Sequence, residues 1–234
     1  MTTARTDLPR ARKTTVRPDS LRLIPFVIQR EGEEAAPDNL RLTPIGGGRY
    51  RLGYADEDPR DRDLRAVLWA RCGFGPVDDR GLPTGRPQWR LMHPLRQRGC
   101  MQTLCCQVCA GPARTPLGWV FLAGPNTMDP SDEPVLTNQP PVCAKHARAA
   151  AELCPHLTAE PMVFLTRSAP LYGVNGVGYG VRGGSVLVVE RPDGPIPYGH
   201  PLLPTVLASQ MVRRLGVFRL LSLDELFAEL QRAI

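Results

Sequence analysis

Four residues in the middle of the chain have the types and spacing of metal ligands. Cys106 and Cys109 form a Cys-x-x-Cys pair, and Cys143 and His146 form a Cys-x-x-His pair. Structural zinc sites hold one ion in a tetrahedron of four ligands, mostly Cys thiolates and His nitrogens. The two pairs therefore predict a Cys3His site for one structural zinc ion. The competing interpretation is that the cysteines are reduced and packed as small apolar side chains.

Local structure must bring the two pairs together. A Cys-x-x-Cys turn lets two thiolates converge on one ion. Residues 142–153 are rich in good helix formers and follow two prolines, which are tolerated at a helix start. Cys143 and His146 would then share a face of the first helical turn. The apolar run from Trp119 to Leu122 predicts a β-hairpin between the two pairs.

This order of metal turn, hairpin and helix resembles the treble-clef zinc fold over roughly residues 104 to 155. The chain departs from that pattern at Ala110, because the usual turn has glycine directly after the second cysteine and here Gly111 comes one residue later. Nucleases of the HNH type use this fold with histidines on the hairpin. No histidine lies between Cys109 and Cys143, which argues against a nuclease of that design.

Four segments, at residues 106–109, 115–124, 140–150 and 168–174, resemble a protein family of high-GC Gram-positive bacteria. The resemblance extends over most of the chain after residue 40. It implies no activity, and it supports only the interpretation of the cysteine pairs as one motif.

Other cysteines and histidines compete for the ligand positions. Cys105 could replace Cys106 as a ligand, with three residues instead of two between it and Cys109. Cys100 could be the fourth ligand if His146 points away. Cys154 lies eleven residues after Cys143, about 16 Å along a helix, so it could join only if the helix breaks. A second site is also open on spacing alone, from Cys72, His93, Cys154 and His156.

Length and composition limit the class of protein. The chain has 234 residues, enough for one large domain or two small ones. Seven cysteines, an odd number at metal-like spacing, indicate a reducing compartment. The absence of an apolar run near 18 residues argues against a membrane span, and the polar N-terminus against a secretory signal. We therefore expect a cytoplasmic protein.

The basic charge is a weaker signal of function. The formal net charge is +6, and nearly all basic residues are Arg, a bias typical of a GC-rich genome. A basic balance can also mark an acidic partner such as nucleic acid. The candidate contacts are Arg96 and Arg98, exposed on a helix begun by Pro94, together with Arg213 and Arg214. We expect His93 to have a structural or capping role at that helix.

The predicted fold class is α+β, with small mixed sheet regions around a treble-clef-like zinc site and many loops. The predicted regions are a disordered basic tail (1–20), an N-terminal α+β region (21–103), the zinc-binding module (104–158) and a C-terminal α/β region packed on the rest (159–234). A hairpin is predicted for residues 40–54 over three consecutive glycines.

The C-terminal region predicts a buried strand at Met162–Thr166, a helix over Leu203–Leu215, a short strand at Val217–Leu221 and a final helix. The final helix begins at a capping box from Ser222, and its apolar face holds Leu226, Phe227 and Leu230. The Gly173–Gly184 segment leads into a strand and lacks a Gly-Lys-Ser/Thr ending, so a flexible hairpin is favoured over a phosphate loop.

The leading functional interpretation is a zinc-stabilised binding or regulatory protein that recognises nucleic acid or a protein partner. A non-catalytic role is favoured because four protein ligands leave no open position on zinc for water. The alternative is an enzyme with a cleft lined by the Gly173–Gly184 loop, His156 and His200.

Overall fold

Short strands and three helices alternate along the described chain, and the fold is α+β as predicted. The computed structural model describes residues 23–35, 39–125, 129–154, 157 and 161–233. The strands are β1 (Ile28–Arg30), β2 (Leu40–Pro44), β3 (Tyr50–Tyr54), β4 (Leu68–Trp69), β5 (Pro87–Met92), β6 (Trp119–Ala123), β7 (Leu136–Thr137), β8 (Met162–Thr166), β9 (Leu171–Arg182), β10 (Ser185–Glu190), β11 (Ile196–Pro197), β12 (Val206–Arg214) and β13 (Phe218–Leu221). The helices are α1 (Pro94–Thr103), α2 (Ala144–Leu153) and α3 (Leu223–Arg232).

Two sequence predictions concern residues beyond this part of the chain. The disordered basic tail, residues 1–20, lies outside the described residues, and so does His156. None of the described helices is long and apolar enough to span a membrane.

The largest sheet has six strands in the order β10-β9-β12-β4, with β11 on β9 and β7 on β12. The glycine-rich segment forms the long strand β9, which turns at Gly183 and Gly184 into β10 and so makes the predicted hairpin. Glycine lets β9 lie very close to its neighbours: a Cβ on Gly176 would come 2.5 Å from the Leu207 carbonyl oxygen.

The predicted helix over Leu203–Leu215 is wrong, because residues 206–214 form β12. The apolar residues of this segment fit a helical stripe, but they also suit a strand covered on both faces. β12 pairs with β9, β4 and β7, and these long-range hydrogen bonds override the local preference. The C-terminal order is therefore strand–strand–helix.

The other C-terminal predictions are confirmed. β8 is a buried strand at the predicted residues, and β13 covers most of the predicted strand. The Ser222 hydroxyl accepts from the Glu225 N–H, and the Glu225 carboxylate accepts from the Ser222 N–H, which is a capping box at the start of α3. Leu226 and Leu230 of α3 are buried.

A three-stranded sheet, in the order β13-β8-β6, supports the region of the cysteines. The predicted β-hairpin between the two ligand pairs is not found among the described residues, because β6 and β7 do not pair with each other. β6 instead pairs with β8, and a single bridge joins Val120 to Val142 just before α2. The predicted hairpin at residues 40–54 is formed by β2 and β3.

α1 carries the chain into the first cysteine pair. It begins at Pro94, and the His93 ring caps it by accepting the Arg96 N–H at 3.4 Å, which confirms the capping role. At its end, the buried guanidinium of Arg213 donates to the carbonyls of Met101 (2.7 Å) and Gln102 (3.2 Å). These carbonyls have no partner inside the helix, so the cation satisfies them and complements the helix dipole.

Candidate metal centre

The structure brings the four predicted ligands together. The ligand atoms of Cys106, Cys109, Cys143 and His146 all lie within 4.8 Å of one another. The His146 Nδ1 atom is 3.1 Å from the Cys143 sulfur and 4.0 Å from the Cys106 sulfur. Zinc bonds of about 2.3 Å to sulfur and about 2.0 Å to nitrogen place tetrahedral ligand atoms about 3.5–3.8 Å apart. The observed distances bracket these values, so the four atoms surround a space that suits one ion.

The first pair lies in a tight turn. The Cys106 N–H donates to the Gly111 carbonyl at 2.7 Å, the Ala110 N–H donates to the Cys106 carbonyl at 2.9 Å, and the Val108 N–H points at the Cys106 sulfur at 3.4 Å. Ala110 has φ +57°, the left-handed conformation that glycine adopts most easily. Alanine therefore occupies the position where the usual turn has glycine, and the turn still closes.

The second pair lies at the start of α2. Cys143 is the N-cap residue, and its side chain makes no capping hydrogen bond, which leaves the sulfur free to face the other ligands. His146 follows in the first turn, where its N–H donates to the Cys143 carbonyl at 3.0 Å.

Backbone hydrogen bonds hold the two pairs against each other. The Gln107 N–H, between the first two cysteines, donates to the Pro141 carbonyl at 2.9 Å. The Val142 N–H donates to the Val120 carbonyl of β6, also at 2.9 Å. These hydrogen bonds join the turn, the sheet and the start of α2 into one scaffold around the candidate ligands.

The electrostatics of the site suit a cation. Burial raises the pKa of the Cys106 and Cys109 thiols, and burial with the nearby Lys145 ammonium lowers the pKa of His146. Without a cation the buried groups favour their neutral forms. A divalent ion among them would stabilise the thiolates and use the neutral imidazole as a ligand. Three sulfurs and one nitrogen are a donor set typical of structural zinc.

The competing ligands lie elsewhere. The Cys100 thiol is buried against the Cys106 carbonyl at 3.9 Å, and the Cys105 sulfur accepts from the Thr103 hydroxyl at 3.2 Å. Cys154 is the C-cap of α2, at the far end of the helix from the ligands. In the described part of the chain no second group of metal-ligating side chains forms, so Cys72 and His93 are not a site there.

Two of the four arginines predicted to contact nucleic acid are not at the surface. Arg96 is buried in an ion pair with Glu33, and Arg213 is buried against α1, because each satisfies polar groups inside the fold. Arg98 is half-buried, with its guanidinium 5.4 Å from the Trp69 ring and donating to the Arg60 carbonyl. Arg214 alone of the four is exposed. These residues therefore do not form a common basic surface.

A cleft of about 370 Å³ lies beside Gly176, near the place where the alternative enzyme site was expected. Asn138, Asn175 and Asp193 border it, whereas the His200 ring lies apart and accepts the Leu202 N–H at 3.2 Å. Asp193 is the one ionisable side chain among the described residues of the cleft. The one hydroxyl of the described lining, on Thr137, is hydrogen-bonded to the Gln139 backbone. The described cleft therefore offers polar contacts without an acid–base pair.

A second, more apolar cavity of about 330 Å³ lies behind the scaffold of the candidate metal centre, and no sequence pattern predicted it. Trp89, Arg90, Asn138 and Ala149 are among its lining residues. They come from separate segments with no common spacing, so no sequence motif could have identified them.

Comparison with protein-family models, with curated proteins and with solved structures finds no match for this chain. The resemblance to the treble-clef fold and to a family of Gram-positive bacteria therefore stays a prediction. The inference of function rests on the site itself.

Proposed function

We propose that this protein is a zinc-stabilised binding protein, in which Cys106, Cys109, Cys143 and His146 hold one structural zinc ion. The observation that carries the proposal is the convergence of these four ligand atoms within 4.8 Å. Four protein ligands complete a tetrahedron, so the ion has no open position for substrate or water. Its role is to join the cysteine turn to α2.

We propose nucleic acid as the partner. Support comes from the formal net charge of +6 and from the β2–β3 hairpin, on which Arg41, Arg49 and Arg51 are exposed together with Tyr50. A two-stranded antiparallel ribbon fits the major groove of DNA, and arginines on it would neutralise phosphates. An enzyme at the cleft beside Gly176 has less support, because the described cleft holds a single carboxylate and no second acid–base group to pair with it.

Metal analysis tests the zinc proposal. The purified chain should contain one zinc per molecule, and a strong chelator should lower its melting temperature, because the free energy of metal binding contributes to folding. Cys109→Ser should lose the zinc, whereas Cys105→Ser should keep it, since the Cys105 sulfur lies outside the ligand group. A metal-free native protein, or a Cys109→Ser variant with full zinc content, would contradict the proposal.

Gel-shift measurements over a range of salt test the partner. We expect affinity for duplex DNA to fall as salt rises, because phosphate contacts release counterions. The double variant Arg49→Gln/Arg51→Gln should bind more weakly. Its plot of log affinity against log salt should be less steep, by the amount expected for the loss of about two phosphate contacts. The control Arg86→Gln/Arg167→Gln removes the same charge from exposed positions elsewhere. Equal weakening by both double variants, or no shift at low salt, would exclude recognition by this hairpin.

A further inference from the structure

A cavity of about 330 Å³ lies directly behind the proposed metal scaffold. Gln107 and Val108, which separate the first two cysteine ligands, form part of its wall, and Ala149 and Ala150 of α2 form another part. β5 contributes Trp89 and the residues after it. The cavity has the size of the smaller ligand sites in proteins.

The lining is chemically selective. Most of the wall is apolar, and its polar side chains include the neutral amides Asn138, Gln139 and Gln210. Asn138 and Gln210 are fixed by a hydrogen bond of 2.7 Å between their side chains. An apolar chamber with a few fixed amides accepts a mainly apolar molecule that also carries a hydrogen-bonding group.

The charge at the cavity indicates which polar group the bound molecule carries. Arg90 is the only charged side chain among the described residues of the lining, and no carboxylate lies there. Within the described part of the chain, Arg90 forms no ion pair, unlike Arg62, Arg71 and Arg96. An exposed guanidinium beside an apolar chamber favours a molecule with an apolar body and one anionic group.

We propose that this cavity binds a small amphipathic carboxylic acid, with its apolar body between β5 and α2 and its carboxylate at Arg90. This inference rests on the proposed function, because part of the wall belongs to the cysteine turn and to α2, the two elements that the metal would join. The bound acid would stabilise that same junction, so it should slow the transfer of zinc to a chelator. The protein would then couple the level of a small acid to the stability of its metal centre.

Displacement of a fluorescent probe tests the site. The probe is 8-anilinonaphthalene-1-sulfonate, which has an apolar aromatic body and one anionic group, bound to the full zinc-loaded chain. Octanoate should displace the probe from a saturable site, and octanol should do so more weakly because it lacks the charge. Arg90→Gln should lower the affinity for octanoate about tenfold and leave the affinity for octanol unchanged. The control Arg86→Gln removes the same charge from an exposed residue that is not among the lining residues, and it should bind as the native chain does.

A second variant separates binding from folding. Ala149→Leu keeps a good helix former in α2 and fills part of the cavity, so it should lose octanoate binding while keeping its zinc and its melting temperature. The proposal is overturned if octanoate does not displace the probe, if Arg90→Gln binds octanoate as tightly as Arg86→Gln does, or if Ala149→Leu binds normally. If octanoate does not bind but the chain contains one zinc, the cavity proposal is wrong and the zinc proposal stands. Octanoate binding by a metal-free native chain would support the cavity and contradict the zinc proposal.

Discussion

Glu33 is the most completely enclosed carboxylate of the described chain, and it ties the N-terminal segment to α1. Its oxygens accept the Arg30 N–H at 2.7 Å, the Gly75 N–H at 3.1 Å and the Arg96 guanidinium at 3.1 Å. The side chains of Glu33 and Arg96 are 1% and 5% exposed, so removing either partner would leave the other buried without its ion-pair partner. The pair therefore fixes the helix that leads into the cysteine turn.

Protonation of the Glu33 carboxylate should change the free energy of unfolding, so stability should depend on pH. Burial alone would raise the pKa of Glu33, but the two N–H groups and Arg96 outweigh it and lower the pKa below the ordinary 4.5. The folded protein therefore binds this proton less readily than the unfolded chain, and the stabilisation, present above pH 4.5, is lost as pH falls through the folded pKa. Urea denaturation at several pH values from 7 to 3 would measure it.

Glu33→Gln should lower the free energy of unfolding at pH 7 by about 3 kcal/mol, and the loss should shrink as the pH falls below 4.5. The neighbouring Glu34 is exposed, so Glu34→Gln is a matched control with a change within about 0.5 kcal/mol. A pH-independent difference between Glu33→Gln and the native chain would show that the carboxylate charge is not what stabilises this junction.

At the scale of elements, the glycines of β9 decide how closely three strands pack. A Cβ on Gly173 would come 2.0 Å from the Ile196 carbonyl oxygen, and one on Gly176 would also meet backbone atoms, of Leu207 and Ala208. These neighbours are backbone and cannot move aside without breaking ladder hydrogen bonds. The glycine-rich sequence therefore permits close sheet packing at these positions.

Gly176→Ala should lower the free energy of unfolding by about 1–3 kcal/mol, because β12 must shift away from β9. Gly194→Ala is the control, since a Cβ there meets no atom within 4 Å. Chemical denaturation of both variants would measure the difference. Equal stability of the two variants would mean that β9 and β12 do not approach as closely in solution.

At the scale of the whole molecule, the last helix completes the core around the metal scaffold. Leu226 and Leu230 of α3 belong to the same buried cluster as Cys106, Val120 and Val142. The cysteine turn, α2 and α3 are far apart in sequence, yet they share one apolar core. Loss of packing by α3 should therefore weaken the proposed metal site.

Leu226→Ala should lower the free energy of unfolding by about 2–5 kcal/mol and speed the transfer of zinc to a chelator, because it opens a cavity in that core. Val217→Ala is the control, because Val217 is 96% exposed and should change stability by less than about 0.5 kcal/mol. Calorimetry and a colorimetric zinc assay would measure the two effects. If Leu226→Ala is destabilised but transfers zinc to the chelator at the native rate, then the packing of α3 does not affect the proposed metal site.

Local chemistry made several features predictable. Cys143 and His146 occur at the start of a segment of strong helix formers, and Ser222 with Glu225 is a capping pair, so both helix starts follow from neighbouring residues. The grouping of the four candidate ligands was predictable because cysteine and histidine pairs at these spacings have few other uses. The hairpins over glycine turns are likewise short-range features.

The sequence by itself determined which residues could bind a metal and where α2 and α3 begin, because these depend on neighbours within a turn or two. Only the tertiary structure decided that Leu203–Leu215 contains a strand, that Arg96 and Arg213 point inward, and that a cavity lies behind the cysteine turn. Each of these depends on hydrogen bonds and packing between segments far apart in the chain. Such contacts override local preference and leave no periodic trace in the sequence.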